Sequence, residues 1–433
     1  METLYNRYCD CGFRVTTDSR AISGGEMFFA LRGENFDGND YALKALEAGA
    51  AWAVVNADAF AEDADSRLIR VQDPFTTLQQ LAIHHRRSVC NGKLPVIGLT
   101  GTNGKTTTKE LINAVLSAKY KVTATRGNLN NDIGVPLSLL QIRPDTQIAV
   151  IEMGANHPDD IAKLVKVSQP DYGLITNVGK AHLLGFGSFE GVKAAKGELY
   201  KWLGSHRGSL IFINEDDADL KEMALREPSH NFGYGLEYQH ASILPATAVE
   251  PFLRIQLDGK VINTRLVGSY NANNVLAAIA VGDYFNVPRE AAIKAIEAYT
   301  PTNNRSQMMQ TASNTLIVDA YNANPSSMAA ALDNFGAVVS GRKLALLGDM
   351  RELGADSAAE HEKIVRKVSG MGIEAYYVGD EFAGALKAAG VDAPWFKDSA
   401  TLASHLSAER IQGAVILIKG SRGIMMEKVL EAL

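Results

Sequence analysis

The most constraining feature of this chain is an apolar run, Pro95-Val96-Ile97-Gly98-Leu99, that feeds the segment Thr100-Gly101-Thr102-Asn103-Gly104-Lys105-Thr106 and then a helical pattern over 105–116. A strand that enters a glycine-rich turn and leaves as a helix gathers backbone N–H groups and the positive end of a helix at one point, which suits a phosphate. Glycine lets the backbone approach the anion. Lys105 has the reach for β and γ phosphates, and Thr106, followed by Thr107, has the hydroxyl for magnesium. The strict G-x-x-x-x-G-K spacing is not met, because Leu99 stands five residues before Gly104. An ordinary glycine turn beside a solvated lysine is the structural alternative. Glu152 favours the phosphate reading, because it ends the apolar strand 147–151 and a carboxylate there can hold magnesium opposite the loop threonine. The expected ligand is ATP with Mg2+.

The rhythm of the 433-residue chain places this unit in an α/β protein. Short apolar runs at 27–31 and 51–55, with one helical stretch at 41–48, form a small first unit, and a helical pattern over 76–87 leads to a boundary near residue 90. From there to about residue 300, strands at 147–151, 172–176 and 210–213 alternate with helices at 105–116 and 272–285. Such alternation favours a mostly parallel sheet with helices on both faces. A second series, with strands at 315–318, 344–347, 375–378 and 414–418, has the rhythm of a dinucleotide-type fold. Three domains follow: 1–90, 91–302 and 303–433.

A hydrophobic content of 46% supports several cores, and a formal charge of −6 gives no electrostatic reason to expect nucleic acid or an anionic membrane as partner. The N-terminus lacks the apolar core of a signal peptide and no stretch approaches the ~18 apolar residues of a membrane span, so a cytoplasmic protein is expected. The three cysteines, Cys9, Cys11 and Cys90, have no zinc spacing and read as free thiols.

Further motifs carry a resemblance. Thr176-Asn177-Val178-Gly179-Lys180-Ala181-His182-Leu183 and Ala194-Ala195-Lys196-Gly197-Glu198, taken with the glycine loop, resemble the Mur ligase family, which forms amide bonds on nucleotide-linked cell-wall precursors. Three more segments, Gly127-Asn128-Leu129-Asn130-Asn131-Asp132-Ile133-Gly134-Val135-Pro136, Asp319-Ala320-Tyr321-Asn322-Ala323-Asn324-Pro325 and Leu347-Gly348-Asp349-Met350-Arg351-Glu352-Leu353-Gly354, narrow it to the branch that joins D-Ala-D-Ala to UDP-MurNAc-tripeptide. The resemblance implies a three-domain architecture: a UDP-substrate-binding N-terminal domain, a central ATPase-like parallel sheet and a C-terminal Rossmann-like ligase domain. It implies an ATP-dependent ligase of peptidoglycan synthesis that passes through an acyl phosphate; a monomer is expected.

The resemblance also implies residue roles. Gly101, Thr102, Asn103, Gly104, Lys105, Thr106 and Thr107 cradle the phosphates, and Thr106 with Glu152 holds one Mg2+. His182 and Lys196 belong to a second metal site, with Lys196 carrying a carbamate, a modification that desolvation of its amine would favour. A hydrogen-bonded structural histidine and a helix-surface lysine are the alternatives. Asn271 and Asn274 meet the adenine, and Asn271 could instead cap its helix. Arg305 reaches over the phosphates, Asp319 bonds the ribose, and Asn322 and Asn324 line the cleft. Lys419 and Ser421 contact substrate or phosphate, with a solvated basic turn as rival. Ser19 and Arg20 face the nucleotide diphosphate, and Asn130 and Asn131 the peptide acceptor. Another Mur-type ligase, a folyl-polyglutamate relative and a nucleotide-dependent switch are the competing functions.

Overall fold

A computed structural model describes residues 1–246, 251–302, 304–338 and 341–433, so residue 303, where the third unit is cut, lies outside the described residues. The first unit is a four-stranded parallel sheet in the order β1-β2-β3-β4, from β1 (Val15–Thr16), β2 (Met27–Phe29), β3 (Trp52–Asn56) and β4 (Leu68–Val71). Its closing helix, Pro74–Ser88, starts cleanly because Asp73 accepts from the N–H groups of Phe75 and Thr76 and proline occupies the first turn.

That helix belongs to two units at once. Its buried residues Leu78, Leu81 and Ala82 sit in one continuous apolar cluster that runs from Tyr8, Phe29 and Val54 to Leu139 and Ile151. The Tyr8 hydroxyl donates to Leu140 O at 2.6 Å, His85 Nε2 lies 3.1 Å from Ile142 O, and Arg86 pairs with Asp171 at 2.9 Å. Burial pushes His85 down to about 4, so it packs as a neutral ring. A cut near residue 90 divides the chain but not the core.

The central sheet has six parallel strands in the order β10-β9-β8-β5-β7-β6. They are β5 (Val96–Thr100), β6 (Val122–Ala124), β7 (Ile148–Glu152), β8 (Tyr172–Ile175), β9 (Leu210–Asn214) and β10 (His230–Tyr234). The strand order reverses across β5, which opens a crevice at its carboxyl end, where ligands of such sheets bind. The loop helix, Lys105–Ser117, packs against the helix Ala272–Tyr284, which is apolar on all sides and buried accordingly.

An antiparallel sheet of β11 (Ser242–Leu244), β12 (Arg254–Leu257) and β13 (Lys260–Asn263) covers this region, an element the alternation pattern does not anticipate. The last unit is a six-stranded sheet, β14-β15-β19-β16-β17-β18, parallel except for its edge strand β14. Its strands are β14 (Gln307–Gln310), β15 (Thr315–Asp319), β16 (Lys343–Gly348), β17 (Glu374–Val378), β18 (Trp395–Phe396) and β19 (Val415–Lys419). Among the described residues no helix is long and apolar enough to cross a membrane.

Candidate active site

A cavity of about 650 Å³ opens where the carboxyl end of β5 meets the last unit. The glycine loop forms its floor. Gly101 (φ 142°) and Gly104 (φ 78°) hold left-handed backbone, and a Cβ on Gly101 would stand 2.0 Å from Thr176 Oγ1. The loop is braced from β8: Thr102 N donates to Asn177 O, Asn103 N to Asn177 Oδ1, and the Thr176 hydroxyl to Asn103 O. Thr176 and Asn177 were legible only as motif neighbours of His182, and their bracing role has no signal in spacing.

Lys105 is partly buried, and its ammonium donates to Gly101 O (2.8 Å) and Thr102 O (3.1 Å). Desolvation pulls it down to about 8, with Glu152 opposing the shift and Arg305 adding to it. Thr106 donates its hydroxyl to Glu152 Oε1 at 3.2 Å, and Asn130 Nδ2 donates to the same oxygen at 2.8 Å. The other oxygen, Glu152 Oε2, is buried with no partner among the described residues. A buried, half-satisfied carboxylate beside a threonine hydroxyl is a donor set for a hard divalent cation, which takes few protein oxygens and completes its shell with phosphate and water. Thr107 lines the cavity, and Asn131 does so while accepting from Gly134 N at 2.8 Å.

His182, in left-handed backbone (φ 52°), pairs through Nδ1 with Glu352 of the last unit. Lys196 is 2% exposed, which removes the surface-lysine alternative. Its amine donates to Ala155 O at 3.2 Å and makes no ion pair among the described residues. Burial, then the nearby Lys105 charge, holds it well below the usual lysine range, so the neutral amine is favoured. Among the described residues no group of three or more His, Cys, Asp or Glu could hold a metal ion.

Asn274 accepts from the Thr108 hydroxyl at 3.0 Å and donates to Asn271 Oδ1 at 2.9 Å. Asn271 in turn donates to Val267 O and Ser306 Oγ. Its side chain makes no cap to the following helix, so capping does not explain it. Tyr270 OH lies 2.9 Å from the same Ser306 hydroxyl. The last unit supplies the roof. The Arg305 guanidinium carbon sits 3.6 Å from the centre of the Tyr321 ring, with Nε buried and unpartnered among the described residues. Asn324 donates to Asn103 Oδ1 at 2.7 Å, a direct bond from the last unit onto the glycine loop, and also caps the helix Pro325–Ala337. Asn322 lines the cavity beside it.

Asp319 and Lys419 also line the cavity, whereas Ser19, Arg20 and Ser421 are outside its lining. Lys419 is 1% exposed and forms an ion pair with Asp319, whose other oxygen accepts from Ser306 N at 3.2 Å. Ser421 is buried, with its hydroxyl donating to Ala323 O and accepting from Arg351 N. Burial of Lys419 and Ser421 rules out a solvated basic turn at these two positions. Ser19 and Arg20 lie in the first unit, outside the cavity lining, where Arg20 pairs with Asp18 on the surface. The cavity also takes in Asn156, His157, Asp160 and Lys163, which the motifs did not single out.

Comparison with known proteins agrees with this geometry. Residues 14–86 match the model described as "Mur ligase family, catalytic domain", 99–282 the Mur ligase middle domain, and 304–422 the "Mur ligase, glutamate ligase domain". The UDP-N-acetylmuramoyl-tripeptide--D-alanyl-D-alanine ligase of Bacillus subtilis is 33% identical, over 97% of this chain and 92% of its own length. The crystal structure of MurF from Acinetobacter baumannii superposes with a TM-score of 0.84 at 31% identity, covering 96% of this chain and 92% of that one. MurF ligase from Thermotoga maritima, in complex with ADP, gives 0.81 at 26% identity, covering 97% and 96%. The chain therefore belongs to the Mur ligase family, with MurF enzymes among its near relatives.

Proposed function

We propose that this chain is the ATP-dependent ligase that joins D-Ala-D-Ala to UDP-MurNAc-tripeptide in peptidoglycan precursor synthesis. One observation carries the reading: the glycine loop, the buried Thr106–Glu152 pair, the Asn130 segment and the roof residues Arg305 and Asn324 converge on one cavity. Relatives matched along nearly the whole chain bear that enzyme's name, and one solved neighbour holds ADP.

In the reaction we propose, a tripeptide carboxylate oxygen attacks the γ phosphorus. A new O–P bond forms, the bond to the β-bridging oxygen breaks, and ADP leaves with that electron pair. The amine of the dipeptide then attacks the acyl carbon, the C–O bond to phosphate breaks, and the amine gives up its proton. Phosphoryl transfer needs position and charge neutralisation above all. Loop amides 101–106 and Lys105 supply both, and the Arg305 fork, seated over the Tyr321 ring, adds donors from the roof. Asn271 and Asn274 present amides to the adenine, Asp319 and Asn322 face the ribose, and Asn130 and Asn131 the peptide. Thr106 and Glu152 would hold Mg2+, whose chemistry there is to neutralise and order phosphate oxygens.

We assign Lys196 as the carbamate-bearing residue, supported by its buried, neutral-favoured amine. Its nitrogen lone pair would bond the carbon of CO2 and release one proton, leaving an anionic ligand beside His182. Ser19 and Arg20 are assigned to the uridine diphosphate, and the working unit is a cytoplasmic monomer of three domains cut at 90/91 and 302/303. The test is phosphate release from ATP by purified protein. Release that requires both the nucleotide-sugar tripeptide and the dipeptide supports the reading; equal release without acceptor overturns it.

A further inference from the structure

The second turn of the loop helix buries a lysine. Lys109 is 0% exposed, and its ammonium donates to Thr125 O at 2.7 Å while also contacting Glu110. An ammonium so enclosed is costly unless its bonds are made, so its placement points to a geometric role.

The bond it makes lies at a joint. Thr125 follows β6, a three-residue strand at the edge of the sheet, and its N–H donates to Val150 O at 3.0 Å. Its hydroxyl, 1% exposed as a residue, accepts from the N–H of Glu152 at 3.0 Å. Lys109 therefore holds the residue that holds Glu152. The same helix carries Thr106 one turn earlier, and the segment leaving Thr125 carries Asn130, which bonds Glu152 Oε1.

We propose that Lys109 is a positioning residue: a strut, acting through Thr125, that sets the separation between Thr106 on the helix and Glu152 at the end of β7, and so tunes the affinity of that pair for a divalent cation. The proposal rests on the reading of Thr106 and Glu152 given above. Lys109 touches no reacting atom. Partners of metal-ligating groups change metal affinity by roughly 10- to 100-fold when removed, which sets the expected scale.

The experiment is Mn2+ binding to the full chain in the presence of ADP, followed by electron paramagnetic resonance, alongside calorimetric binding of ADP without metal. Glu152→Gln reports on the site itself, and an unchanged Mn2+ affinity in that variant would overturn the site reading as a whole. With the site intact, Lys109→Met and Thr125→Val are each expected to weaken Mn2+ by roughly tenfold, to raise the Mg2+ concentration at half-maximal rate, and to leave metal-free ADP binding unchanged. Lys109→Arg, which keeps the donor, should recover part of the loss. Thr125→Val keeps the test alive should Lys109→Met not fold. Wild-type Mn2+ affinity in both variants, or a fall only in melting temperature, would overturn the strut while leaving the site reading in place.

Discussion

At the scale of single residues, the account turns on how burial sets charge. Lys105 is held down to about 8 by desolvation, so near neutral pH it is mostly protonated and above that value mostly neutral. Phosphate binds the protonated form, and ADP affinity is therefore expected to fall as pH rises past about 8, while Lys105→Arg, which keeps its charge, stays level. Calorimetric titration across that range checks it, and a flat wild-type profile would contradict it. Lys196, buried and making no ion pair among the described residues, should gain the mass of one CO2 in bicarbonate. Its activity should fall in CO2-depleted buffer and return on adding bicarbonate, and an unmodified mass with unaltered rate would remove the carbamate.

At the scale of elements, the strand–loop–helix unit was legible because its chemistry is local: the glycines, Lys105, Thr106 and the strand-end Glu152 need nothing distant to declare themselves. Gly101→Ala should abolish nucleotide binding, since its left-handed backbone and the 2.0 Å approach of Thr176 leave no room for a methyl group; retained ADP affinity would refute that. Other elements were less legible. The antiparallel sheet went unanticipated although Arg254-Ile255-Gln256-Leu257-Asp258-Gly259-Lys260-Val261-Ile262-Asn263 carries an Asp-Gly hairpin signal, with both turn residues at positive φ (50° and 74°). The joint at Thr125 and the Lys419–Asp319 pair depend on contacts between strands far apart in the chain, which no local pattern encodes. Lys419 read as a substrate or phosphate contact, and a lysine before Gly420 and Ser421 gives no hint of the carboxylate it meets 100 residues away.

At the scale of the whole molecule, the last unit lies against the loop. Asn324 reaches Asn103, Lys180 pairs with Glu360 at 3.2 Å, His182 pairs with Glu352, and Ser269 N donates to Asn334. These polar bonds, with Val267 and Phe252 of the central unit packed into the last unit's apolar core, form an interface of the kind across which domains close on substrates. Scattering from the free protein should report a larger particle, shrinking toward the arrangement described on addition of an ATP analogue with the tripeptide substrate; an unchanged profile would argue against closure. The central claim is that the terminal phosphoryl group rests at Lys105 within reach of a peptide carboxylate. Oxygen-18 placed in that carboxylate tests it: the account predicts one labelled oxygen in each phosphate released by the wild type, with Lys105→Ala slowed by at least roughly a hundredfold. Phosphate released without label, or Lys105→Ala running at full rate, would contradict it.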